Sequence, residues 1–62
     1  MDRKTLKRRR EALGYSQSEL AALLHIHTMT VSRWERGQHK VPESVALVIK
    51  SLKPKSEAVE MK

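Results

Sequence analysis

The sequence predicts an all-α protein, a compact four- or five-helix domain. Three observations carry that expectation. Apolar residues recur at helical spacing along most of the chain. Gly14, Gly37, Pro42 and Pro54 punctuate it into helix-sized pieces. Between Ser16 and Gly37, SQSELAALLHIHTMTVSRWERG holds two short helices with only about three residues between them, the spacing of a helix-turn-helix. A chain of 62 residues makes one domain at most. At that size only about 60% of the unfolded surface is buried, so compact helices are the economical solution.

The first helix is expected from about Arg3 to Leu13, with Asp2 as N-cap and Gly14 at the left-handed position that ends it. Leu6 and Leu13 share a face, with Arg9 and Arg10 between them. The second helix starts at Ser16. Ser16 and Glu19 have capping-box spacing, and Tyr15 and Leu20 have hydrophobic-staple spacing. It continues to Leu24 or His25, and His25 and Ile26 form the turn.

The third helix covers roughly Thr28 to Arg36. His27 takes its N-cap slot, where Ser or Thr is the stronger choice, and Gly37 stops it. Residues 38–41 read as a polar loop. Pro42 fits position N1 of a fourth helix, with Glu43 near its positive end. Val45, Val48, Ile49 and Leu52 give that helix an apolar stripe, and Pro54 terminates it. Residues 55–62, KSEAVEMK, read equally as a frayed tail or as a short fifth helix capped by Ser56, with Ala58, Val59 and Met61 as its apolar residues. The domain is therefore expected over 1–54, with its helix-turn-helix at 16–37.

The expected core is Leu6, Leu13, Leu20, Leu24, Ile26, Val31, Trp34, Val45, Ile49 and Leu52. Ala21 faces the other helix of the pair, where a small side chain permits close approach. Trp34, the only tryptophan, reads as a packing residue rather than a stacking surface for bases. With Val31 and Trp34 turned inward, Thr28, Met29, Ser32, Arg33 and Arg36 face other directions. The start of the third helix is then free to meet base edges.

Composition narrows the function. The formal net charge is +6, and residues 1–13 carry Arg3, Lys4, Lys7, Arg8, Arg9 and Arg10 against Asp2 and Glu11. Such density favours a polyanionic partner over a merely solubilising surface. The first helix lacks the broad apolar face of a membrane-surface helix. There is no cysteine, so disulfides and thiolate metal sites are excluded. The five-residue apolar runs Leu20–Leu24 and Val45–Ile49 are far too short for a membrane span, and no signal peptide is visible. A cytoplasmic location is the default, and Met1 with an early helix is read as a true N-terminus. The carboxylates show no paired or metal-ligand spacing, and no nucleophile–base set is apparent, so an enzyme is the last choice. No cofactor is expected.

The pieces LKRRREALGYSQSELAALL, VSRWERG and VPESVALVIKSL resemble the lambda-repressor-like DNA-binding domains of the Cro/C1 type, the XRE family. The resemblance spans residues 6–52. It implies that Gln17 bonds a DNA phosphate and braces the reading helix. It places Thr28, Met29 and Arg33 at base-contacting positions, with Ser32 as a further contributor. Thr30, Arg36, Gln38 and Lys40 would lie near the sugar-phosphate backbone. Arg10 and Glu35 match a partly buried salt bridge between the first and third helices. The chemistry of the side chains agrees. Arg33 can pair bidentately with guanine, and Met29 and the Thr28 methyl suit a thymine methyl.

Three positions depart from the family pattern. Arg9 stands where leucine is frequent, so its stem lies along the core, the core is less complete there, or it meets a partner chain. His25 stands where glycine is usual in the turn, and His27 replaces the usual cap. Both read as turn and groove-edge residues rather than metal ligands; if they lie by phosphates, protonation near pH 6 would strengthen DNA binding.

The leading expectation is a sequence-specific duplex-DNA binder acting as a transcriptional regulator, read as a repressor, with Thr28–Arg36 in the major groove. A weak homodimer, or a dimer formed on a palindromic operator, is the expected assembly. Helix four and the tail, with Leu47, Val48, Val59 and Met61, would supply its apolar contacts. The alternatives are an antitoxin-type regulator that binds a toxin and represses its own operon, and a nucleoid or RNA binder without base preference.

Overall fold

The computed structural model describes residues 1–59, apart from the side chains of Ala58 and Val59; Met61 lies outside the described residues. Five helices follow one another, and no strand occurs among the described residues: α1 Arg3–Leu13, α2 Gln17–Leu24, α3 Thr28–Glu35, α4 Glu43–Ser51 and α5 Lys55–Val59. The fold is lambda-repressor-like, with α2 and α3 forming the helix-turn-helix.

The local signals explain most of the boundaries. The Asp2 carboxylate accepts the Thr5 N–H at 2.7 Å and so caps α1. That bond from the Thr5 backbone, helped by the Thr5 side chain, lowers the Asp2 pKa. Gly14, at φ 87°, ends α1 by returning its N–H to Arg10 and Glu11. Both halves of the capping box are made at Ser16: its Oγ accepts from Glu19 N–H at 3.0 Å, and Glu19 accepts from Ser16 N–H at 2.9 Å.

Five expectations are corrected. Helix α3 ends at Glu35, and Arg36 is its C-cap. Pro42 is the N-cap of α4 rather than its first residue. Its φ of −60° suits either slot, but its ψ of 146° is extended. Helix α4 ends at Ser51, because Leu52 turns extended two residues before Pro54. Helix α5 begins at Lys55, which puts Ser56 inside it instead of at its cap. Val41 belongs to the core and not to a polar loop.

Leu6, Leu20, Val31 and Ile49 are fully buried, joined by Tyr15, Ala21, Trp34, Val41 and Ala46. Leu13, Leu24, Ile26, Val45 and Leu52 pack around them, half-buried. Along α4 the inward face is Ala46 and Ile49, three residues apart. Val48 sits off that stripe and is 47% exposed. Tyr15 doubles as a tether: its ring is buried and its hydroxyl donates to the Lys53 carbonyl at 2.9 Å. Lys55 pairs with Glu19, which ties α5 to the start of α2. That bond, with the one from Ser16, lowers the Glu19 pKa.

Candidate nucleic-acid interface

The inner face of α3 is set by Val31 and Trp34, both buried. Ala21 on α2 is buried, 2% exposed. The opposite face of α3 carries Met29, Arg33 and Arg36, all exposed and on one helical stripe. Thr28, also exposed, stands at the first turn, where its Oγ1 meets Ser18 Oγ at 3.4 Å. Thr30 and Ser32 are half-buried on the flanks. Gln38 and Lys40 follow in the exposed loop.

Arg33 donates from a terminal guanidinium nitrogen to the Met29 sulfur at 3.2 Å. A thioether is a weak acceptor, so this contact directs the guanidinium without holding it firmly. Neither Arg33 nor Arg36 has a carboxylate partner among the described residues.

Glu35, on the flank of α3, organises a polar junction of three helices. Arg10 of α1 donates to its carboxylate through Nε at 2.6 Å and through a terminal nitrogen at 3.1 Å. A further Arg10 nitrogen reaches the Tyr15 carbonyl at 2.9 Å. Gln17, the first residue of α2, donates from Nε2 to Glu35 at 3.0 Å. A carboxylate only accepts, so the amide of Gln17 is oriented with its nitrogen inward; one N–H remains for another acceptor. Burial pushes the Glu35 carboxyl up, but the bonds from Arg10 and Gln17 and the nearby charges of Arg10 and Lys7 outweigh it and hold its pKa down. Donation to Glu35 raises the pKa of Arg10.

The turn between α2 and α3 is tight. His25 adopts the left-handed conformation, φ 59° and ψ 43°, and its N–H closes on Ala22 while Ile26 N–H reaches Ala21. His27 occupies the N-cap of α3 without a side-chain bond. Both histidines are exposed, as is Arg9. No group of three His, Asp or Glu side chains comes together for a metal among the described residues.

A family model described as Helix-turn-helix, of the Cro/C1 type, matches residues 6–49. The chain belongs to the Cro/C1-type helix-turn-helix family. No curated protein and no solved structure matches it significantly. As a Cro/C1-type helix-turn-helix domain, the chain is a sequence-specific DNA-binding transcription regulator, and its ligand is double-stranded DNA. No helix among the described residues is long and apolar enough to cross a membrane.

The sequence counted Arg3 only within the basic start of the chain and gave neither Arg3 nor His39 a place at the interface. With Trp34, Gly37, Lys40 and Val41 they line an open groove of about 490 Å³ between the start of α1 and the loop after α3. The available signal was the spacing of Arg3, Lys7 and Arg10, which is that of one helical stripe.

Proposed function

We propose that the protein is a repressor whose helix α3 lies in the major groove of a palindromic operator, each copy of the chain reading one half-site. The observation that carries this is the division of α3. One face is pinned by Val31 and Trp34, and the other presents Met29, Arg33 and Arg36, with no acidic partner for either arginine among the described residues. Arg33 reads guanine, Met29 and Thr28 meet a thymine methyl, and Ser32 adds a contact from the flank. One good bidentate pair discriminates by roughly 1–3 kcal/mol. Gln17, Thr30, Arg36, Gln38 and Lys40 hold the backbone. Arg10, Glu35, Ala21 and Trp34 fix the angle at which α3 is presented. Residues 1–54 form the functional unit, and it acts in the cytoplasm.

One reading helix spans few base pairs, which is why a two-fold pair of chains is expected on the site. Leu47 and Val48, exposed side by side on α4, offer the apolar contact for a second copy. No observation favours the antitoxin alternative, since a second copy accounts for the same surface. Selection of bound duplexes from a random library tests the reading. A palindromic consensus supports it; enrichment without any consensus would leave only non-specific phosphate binding. Repression itself is read from a reporter gene with the selected site across its promoter, whose output should fall when the protein is supplied.

A further inference from the structure

We propose that Arg3 is a phosphate-binding residue, completing a backbone clamp with His39 and Lys40 beside the C-terminal end of α3. The inference rests on the reading that α3 lies in the major groove, and it assigns to α1 a share in DNA binding.

Three observations place Arg3 there. Gly37 has φ 79°, and a Cβ at that residue would stand 3.0 Å from Arg3 Cδ. The stem of Arg3 therefore lies against the glycine that ends α3, and the guanidinium is carried over the loop. The same groove is lined by Gln38, His39 and Lys40, so Arg3 converges with the loop placed on the backbone above. Arg3 also continues a stripe. Arg10 is bonded to Glu35 of α3, and Lys7, one turn back, lowers the pKa of that same carboxyl. Arg3 is one further turn along, so the edge of α1 beside α3 is basic from the Gln17 junction to the Lys40 loop. Asp2, which adjoins Arg3 in sequence, is engaged with Thr5 at the helix cap and is not an ion-pair partner of Arg3. A cationic side chain with a packed stem and no carboxylate partner among the described residues, set on the rim of the reading helix, fits a phosphodiester oxygen.

The test uses the full chain and a duplex bearing its selected site, with affinity measured over a series of KCl concentrations. Loss of one phosphate contact lowers the slope of log K against log salt by about 0.9. Arg3→Gln should show that loss, bind several-fold more weakly at low salt, and keep the same base preference. Arg3→Lys should restore most of the slope. Arg9→Gln removes the same charge from another side of α1 and should leave the slope near that of the parent. The inference is overturned if Arg3→Gln keeps the parental slope, or if Arg9→Gln lowers it equally, which would make the effect one of net charge. Thermal melting of each variant separates lost contact from lost fold. Failure of the underlying reading shows differently: Arg33→Ala would then leave the selected consensus intact, whatever happens at Arg3.

Discussion

Arg10 and Glu35 are 25 residues apart in sequence, yet their side chains are only 11% and 5% exposed where they meet. The pair fixes α1 against α3, and Gln17 brings α2 to the same carboxylate. Glu35→Gln keeps the shape but leaves the Arg10 charge without its counterion. We expect a loss of about 2–3 kcal/mol in urea unfolding, below the range for fully buried pairs because Arg10 retains some solvent. The pH dependence has a definite sign. The folded Glu35 carboxyl lies below its ordinary 4.5, so the unfolded chain binds the proton more readily. The stabilisation is complete above that ordinary value and is lost as pH falls through the lowered folded one. Urea midpoints of the parent should therefore drop on acidification below about pH 4.5, and those of Glu35→Gln should drop less. Ala21, buried on α2, is the other residue proposed to set the presentation of α3. Ala21→Leu should cost roughly 1–3 kcal/mol by overpacking, and DNA affinity should fall with it.

At the scale of the elements, the turns hold the strain. His25 is the one described residue other than glycine with positive φ. The left-handed backbone costs an L-residue roughly 1–2 kcal/mol. Glycine would relieve this while giving back roughly 0.4–1 kcal/mol through the freer unfolded chain. His25→Gly should therefore stabilise by about 0.5 kcal/mol and raise the melting temperature by roughly 2–4 °C. Gly37→Ala, at φ 79°, should do the reverse, losing about 0.5 kcal/mol on the same balance. These turns also show what the sequence made legible. Asp2, Gly14, and the Ser16–Glu19 box act through bonds to neighbours within a few residues, so their spacing was sufficient evidence for α1 and α2. Val41 and Tyr15 were less readable because their burial depends on elements distant in sequence. The Tyr15 hydroxyl finds its acceptor 38 residues away. The inward face of α4 was less readable for a related reason: the helix carries apolar residues on more than one face, and only packing decides that Ala46 and Ile49 are inward.

At the scale of the molecule, a small body is divided between holding α3 and exposing it. The polar junction at Glu35 and the buried Val31 and Trp34 hold α3 on its inner side. Arg3 at the start of α1 and Lys40 in the loop after α3 line one groove beside the helix, where a phosphate backbone is proposed to pass. That division makes the central claim testable in one comparison: duplexes selected from a random library by the parent chain and by Arg33→Ala. The account predicts a two-fold symmetric consensus for the parent, and for Arg33→Ala the same consensus with preference relaxed at one base pair in each half-site. An identical consensus from both proteins would contradict it.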